Sequence, residues 1–459
     1  MREICEVENG RYISIEDDWQ LLGLINEPPQ NVSNPLEKLL HFIWKYKLLK
    51  PGELRTLSGN VVKIIHPGEL NTDSGPDFFN AQIEIGSVTL AGNIELHTRS
   101  SDWIKHGHQH DDAYNKLILH AVYQHDISIE QNTNFNVEVL ELKEYIEEEI
   151  MEKYKTLLTA KSELACGNQI KNIDPIKMNN WLQRMLIERL ETKTDHVKQL
   201  FEVSNNDYVQ AFYVLLARNF GFKVNSEPFE LLAKSLPLHI LLKHYQNLFQ
   251  LEALLFGTAG FLNDQLKDKY GQKLQNEFEY LKHKYNIKPM DVEIWKYLRL
   301  RPANFPTQRI AQFALVIHYC PEIFLNPVYF TGKIELNGAL IHQHSGYWRT
   351  HYTFDGEESS SIKGMGENSL QNICINTLAP YLFFYGTQTG EQKYIEKALN
   401  IFETVPFEEN FKTGIFLEAG LNFKTSAESQ GLINLFDNYC KHKRCLNCAV
   451  ASNLLTAKG

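Results

Sequence analysis

No apolar run in this chain is long enough to cross a bilayer. Stretches such as "IAQFALVIHYC" and "LEALLFGTAGFL" fall well short of the roughly 20 apolar residues a spanning helix needs, so no membrane association is expected. Net positive charge is missing too: 46 Lys+Arg against 56 Asp+Glu give a formal charge of −10. That excludes a protein coating nucleic acid by bulk attraction, while leaving room for a local basic groove. The opening "MREICEVENGRYISIEDDWQ" has neither an apolar segment nor a small-residue cleavage site, which predicts no signal peptide. Cysteine is sparse, and seven is an odd number; a reducing compartment fits better than a disulfide framework, and the cytoplasm is the expected location. There is no Walker-type loop, no dinucleotide GxGxxG and no GxSxG elbow, which removes NTPase, NAD-enzyme and serine-hydrolase chemistry. No fixed-period repeat marks a solenoid.

What is present is material for globular domains. At 459 residues the chain exceeds one ordinary core, and 43% hydrophobic residues with 26 Phe and 21 Tyr supply the interior. In "NPLEKLLHFIWKYKLL", Leu36, Leu39, Leu40, Ile43 and Trp44 recur at helical spacing. "VVKIIH", "FNAQIEI", "VTLAGNIELHT" and "KLILHAVYQH" then read as short strands. "LELKEYIEEEIMEKYKTLLTAKSEL" turns charged and helical and reads as a solvated connecting helix. Helical patterns prevail from about residue 170. The expected fold is α+β overall, with an N-terminal α/β domain with a mixed sheet over residues 1–150. A larger, mainly helical region over 151–459 follows. The segment around 325–355 breaks the helical pattern, as a loop or small strand pair that would separate two helical subdomains.

Chemistry concentrates in "SGPDFFNAQIEIGSVTLAGNIELHTRSSDWIKHGHQHDDAY". Alternation along the second strand puts Val88, Leu90, Gly92, Ile94 and Leu96 on one face and Asn93, Glu95, His97 and Arg99 on the other. A hairpin through Gly86 and Ser87 brings the start of the preceding strand, with Asp77, toward Glu95. Two carboxylates from neighbouring strands suit a hard cation such as Mg²⁺ or Mn²⁺, which polarises a phosphoryl oxygen and activates water. Two other possibilities stand beside this one. The polar face is simply solvated, or His97 joins two of the loop histidines His106, His108 and His110 around zinc, a metal suited to imidazole. His120, in an apolar strand, reads as a core histidine, and Asp111 as a helix cap.

The "GPD" at Asp77, the "ELH" at Glu95–His97, the helix candidate "DDAYNKL" and the apolar strand "LILHAVY" together resemble the PD-(D/E)XK nuclease superfamily over about residues 30–130. The resemblance implies a restriction-endonuclease-like core acting on nucleic acid. Asp77, Glu95 and the Leu96 carbonyl would be metal ligands, and Glu37 an extra helical carboxylate. The sequence departs from the pattern at His97, which stands where the superfamily has lysine; a histidine with a pKa near 6.5 would serve as ligand or base instead. Arg99 would restore the positive charge. Across residues 71–449, "NTDSGPDFFNA", "GNIELHTRSSDWIKHGHQHDDAYN", "RPANFPTQRIAQFA" and "CKHKRCLNCAV" resemble a bacterial family catalogued as a domain of unknown function (2851). That resemblance implies a cytoplasmic protein and no particular activity.

Two further groups stand out. Cys440, Cys445 and Cys448 have spacing suited to zinc, with Cys166, Cys320 or Cys374 as a fourth ligand if the fold brings one near. Lys296, Arg299, Arg301 and Arg309, interleaved with Trp295 and Tyr297, form a candidate phosphate-binding patch. The expected function is a metal-dependent phosphodiesterase or nuclease centred on Asp77, Glu95, His97 and Arg99. The alternative is a non-catalytic nucleic-acid-binding or scaffold protein with a degenerate nuclease-like domain. The sequence carries no signature of an oligomeric state.

Overall fold

A computed structural model of the chain describes residues 34–128, 137–262, 266–330, 346–357 and 364–457, together with 336, 339 and 340. The N-terminal stretch read for a signal peptide lies outside the described residues. Two compact units make up the chain: Met1–Met178 with Phe436–Gly459, and Asn179–Leu435. The architecture is mixed α+β, with the main sheet in the first unit and helices dominating the second.

The first unit opens with α1 (Pro35–Lys45). Asn34 caps it by accepting from the Leu36 N–H at 3.0 Å, and Pro35 sits in the first turn, where its missing N–H breaks no bond. Leu36, Leu39, Leu40, Ile43 and Trp44 are all buried, with Phe42 beside them. The Trp44 indole donates to the Pro67 carbonyl at 3.0 Å, anchoring the helix to the sheet's approach.

The sheet consists of β1 (Leu54–Arg55), β2 (Val61–His66), β3 (Glu69–Leu70), β4 (Phe78–Ile85), β5 (Val88–Arg99), β6 (Leu117–Gln124) and β7 (Glu138–Glu141). Its order is β1-β2-β4-β5-β6-β7, with β3 added to β4. Pairing is antiparallel through β5, then parallel from β5 to β6 and from β6 to β7. Gly86 (φ 61°) makes the tight turn that joins β4 to β5, a left-handed position suited to glycine. The β5-to-β6 crossover is short: α2 (Asp102–Lys105) followed by single turns at His108–His110 and Asp112–Lys116.

Two sequence expectations change here. The charged segment after residue 140 is not a solvated connector. Leu142 and Ile146 are buried, and helix α3 (Glu148–Thr159) buries Ile150, Met151, Tyr154 and Leu157. Its charges occupy only its outer face, and the C-terminal helix Ala449–Thr456 packs against it, with Lys153 Nζ donating to the Ala457 carbonyl at 2.7 Å. The division between units therefore falls after Met178 rather than near 150, and the chain's last segment belongs to the first unit.

In the second unit one apolar cluster runs from Leu186 to Ala427 and includes Phe330, Leu336, Ala339, Leu340 and Trp348. The described part of 325–355 thus contributes to this shared core. A two-stranded hairpin, His351–Thr353 with Gly356–Glu357, does interrupt the helices there.

Candidate metal centre

The register of β4 on β5 places Phe78 opposite Ile94, so Asp77, just before β4, stands beside Glu95. Two backbone hydrogen bonds lock the pair. The Asp77 N–H donates to Glu95 Oε2 at 3.0 Å, and the Leu96 N–H donates to Asp77 Oδ2 at 2.8 Å. Asp77 Oδ2 also lies 3.1 Å from His41 Nε2 on α1. Glu37 and His41, one turn apart on that helix, share a face toward these carboxylates.

The polar face of β5 is not washed by water. From Asn93 to Thr98 both faces of the strand are buried, Glu95 being 4% exposed and His97 1%. Desolvation disfavours the charged form of each group. Burial, reinforced by the neighbouring Asp77, pushes Glu95 up to about 9. Burial likewise raises Glu37 to about 7. His41 is the opposite case: burial lowers its pKa, but the hydrogen bond and charge of Asp77 outweigh that and leave it raised.

His97 meets the crossover histidines next. Asp102 starts α2 and ties it to the strand end, accepting from Thr98 Oγ1 at 2.8 Å and from the Arg99 N–H at 3.0 Å. That anchor turns α2 so that His106, at its C-terminal end, and His108, just beyond Gly107 (φ 75°), come back over the strand. His97 Nε2 stands 3.2 Å from His106 Nδ1 and 3.4 Å from Glu95 Oε1. His108 Nε2 is 3.2 Å from the same Glu95 oxygen. The three imidazoles have donor atoms all within 4.8 Å of one another. Bonds of 2.0–2.1 Å to a tetrahedral ion would set its ligand atoms about 3.3–3.4 Å apart, which the 3.2 Å His97–His106 contact and the 3.2 and 3.4 Å Glu95–imidazole contacts match.

The surroundings favour neutral imidazoles. Burial pushes His97 well below its ordinary value, with His120 and His108 adding to the effect. Burial lowers His106 and His108 as well. His97 Nδ1 is 2.9 Å from His120 Nε2 on β6. If His97 Nε2 faces an ion, Nδ1 carries the proton and donates to His120 Nε2, which takes the place a carboxylate, carbonyl or water usually has beside a metal-bound histidine. Buried Trp103 makes ring contacts with His97, His108 and His120, and Tyr114 stacks near His108 at 4.1 Å, giving the imidazoles a firm apolar wall.

Asp77, Glu95, His97, His106 and His108 are thus brought together, and two contributors escaped the sequence reading. His41 interrupts the apolar stripe of α1 four residues after Glu37; that i,i+4 pair was the available signal. His120, read as a core histidine, is indeed fully buried, and its Nε2 lies 2.9 Å from His97 Nδ1. His110 is exposed and stands apart from the three imidazoles, because its neighbour Asp111 turns away to cap the next turn through Ala113 N–H at 2.9 Å. Among the described residues no ion pair joins the Arg99 guanidinium to Asp77 or Glu95. His97 cannot stand in for a cation either, since burial holds it neutral, and His41 is the imidazole whose pKa Asp77 raises.

Lys296, Arg299 and Arg301 are exposed on the second unit, whereas Arg309 is not part of that surface. It is buried, bonded to Gln312 Oε1 at 2.8 Å and Asn304 Oδ1 at 2.6 Å, and packed 4.6 Å from the Phe222 ring centre. Its helix, Pro306–Tyr319, is buried at nearly every position, which a charge count along the sequence does not reveal. Cys320 and Cys374 belong to the second unit's core, while Cys166 lies in the first unit with Cys440, Cys445 and Cys448.

Comparison with known proteins adds a family and no activity. No curated protein and no solved structure matches the chain. A family model described as "Protein of unknown function (DUF2851)" matches residues 37–411, a span that contains all of the histidines and carboxylates above. The chain belongs to this family.

Proposed function

We propose that the protein is a metal-dependent hydrolase of phosphodiester bonds in nucleic acid, its ion held by His97, His106 and His108, with Glu95 beside them and the fourth position left for water. The observation carrying this is the convergence of Glu95 Oε1 with imidazole nitrogens at 3.2 and 3.4 Å, on the strand end where Asp77 is locked alongside. Three nitrogen donors favour zinc over the Mg²⁺ or Mn²⁺ that a carboxylate pair would select. Support for the substrate class comes from the order of elements, helix, antiparallel strands and a following parallel strand, with Asp77 and Glu95 at the positions implied by the nuclease resemblance.

When bound, the ion would polarise a phosphoryl oxygen and lower the pKa of a water. The chain's own groups have separable tasks. His120 orients His97 through the Nδ1 contact. Asp77, positioned by the Leu96 N–H, lies 3.1 Å from His41 and raises its pKa, and the protonated form would suit charge developing on phosphoryl oxygens. Glu95, whose burial keeps it protonated near neutral pH, would give up that proton on binding an ion. Exposed His106 marks the side open to substrate.

One observation favours a second function. Three imidazoles and Glu95 would fill a tetrahedral shell, the mark of a structural zinc site, as in a non-catalytic nucleic-acid-binding protein or scaffold. Zinc-loaded protein incubated with single- and double-stranded DNA and RNA separates the two. Chelator-sensitive cleavage that disappears in Glu95→Gln supports the hydrolase. Salt-sensitive binding without cleavage beyond that control overturns it.

A further inference from the structure

The C-terminal segment returns to the first unit after the second unit has intervened in sequence, and it brings three cysteines with it. Cys440 ends a π-helical turn (Phe436–Cys440). The chain then reverses through Lys443 (φ 51°), whose N–H donates to the Cys440 carbonyl at 3.1 Å. A single turn, Cys445–Asn447, follows and is closed by the Cys448 N–H on the Cys445 carbonyl at 3.1 Å. That turn packs against α1.

Lys443 also identifies the neighbour of this turn. Its Nζ donates to the carbonyls of Ala160 at 2.9 Å and Ser162 at 3.1 Å, drawing the loop after α3 onto the cysteine segment. The same loop carries Cys166, whose carbonyl accepts from the N–H groups of both Gln169 and Ile170 at 2.9 Å. Four cysteines from two distant stretches therefore share one corner of the first unit. Cys445 and Cys448 are buried, Cys166 and Cys440 partly so, and none is in a disulfide.

We propose that Cys166, Cys440, Cys445 and Cys448 form a four-thiolate zinc site that staples the C-terminal segment onto the first unit. Spacings of four and two residues between successive C-terminal cysteines lie within the range of structural zinc sites, and Cys166 completes the tetrahedron. Zinc suits a site of thiolates that performs no redox step, and Lys443 offsets part of the negative charge of four sulfurs. Burial, and after it the neighbouring thiols, push Cys166 to about 12 and Cys445 to about 11, a penalty on the thiolates that a bound dication would relieve. Among the described residues only the imidazole group already has its donors within 4.8 Å of one another, so the thiolates would close on the ion as it binds. The staple is independent of the imidazole centre and of its activity.

The test uses the full chain purified without chelator, in wild type and in a His106→Ala/His108→Ala variant that disables the imidazole centre. The expected result in that variant is one zinc per chain, released by p-hydroxymercuribenzoate. Cobalt replacement should give an intense near-ultraviolet thiolate-to-metal band, lost in Cys445→Ser/Cys448→Ser. Zinc removal should also open residues 436–457 to protease. Wild-type protein with no such cobalt band overturns the proposal without relying on any variant's folding. So do four thiols that react in the native chain as fast as in the unfolded one, disulfides among these cysteines, or iron with acid-labile sulfide in place of zinc.

Discussion

Glu95 Oε1 and His108 Nε2 stand 3.2 Å apart, a carboxylate from the interior of a strand facing an imidazole from the crossover that follows it. Such a contact is poor company for a buried carboxyl and a half-buried imidazole unless a proton or a cation lies between them. Glu95→Gln keeps the shape and removes the charge. Zinc affinity, measured by competition with a chromophoric chelator, should fall more than about 100-fold, beyond the ~10–100-fold typical of losing an outer partner. The circular dichroism spectrum should be unchanged. Wild-type affinity in this variant would remove Glu95 from the centre.

The crossover histidines are not equivalent. His106→Ala should lose most of the zinc affinity seen in the same competition assay, whereas His110→Ala should match wild type. The reason is placement: His106 Nδ1 is 3.2 Å from His97 Nε2, and His110 is exposed outside the group. Equal losses in the two variants would point to a loosely chelating loop.

His120 acts through His97. Replacing it with Phe should preserve the apolar packing against Trp103 while removing the 2.9 Å contact to His97 Nδ1. The expectation is zinc affinity lower by about 10–100-fold, the usual effect of an outer-shell loss. His120→Gln should recover part of it, because its amide can accept from Nδ1. If His120→Phe binds zinc as wild type does, the outer-partner role fails.

Lys193 offers a pH-dependent prediction away from the metal centre. Its ammonium donates to Asn376 Oδ1 at 2.7 Å, and burial, with Arg189 adding repulsion, lowers its pKa to about 7. Between about 7 and the unfolded value of about 10.4 the unfolded chain binds more protons than the folded one, so stability rises with pH across that window. Lys193→Met should therefore melt at a higher temperature than wild type at pH 7, with the difference shrinking toward pH 10. A constant difference between the two melting curves across this range would exclude the lysine as its source.

Gly257 tests the second unit's core. A Cβ there would overlap the ring of Phe278, which is buried against it. Gly257→Ala should destabilise by about 1–3 kcal/mol, the scale of overpacking a filled interior, despite alanine's better helix propensity. Urea unfolding measures it, and an unchanged midpoint would show that Phe278 can move aside.

The sequence by itself determined the local pieces of this protein. Helix α1 follows from its apolar stripe and the Asn34-Pro35 start, and β5 from its period-two alternation, since both periodicities are properties of the backbone. Glu95 and His97 share a face for the same reason. What only tertiary structure decided was burial and long-range meeting. Alternation told which side of β5 is polar, but the crossover lying over it made that side dry, and dryness is what neutralises the imidazoles and raises Glu95. His41 reaches Asp77 only because α1 packs on the sheet, and the buried face of α3 was hidden among charges that lie on its other side. The grouping of Cys166 with Cys440, Cys445 and Cys448, like the burial of Arg309, depends on segments far apart in sequence closing on one another, and no local period records such a closure.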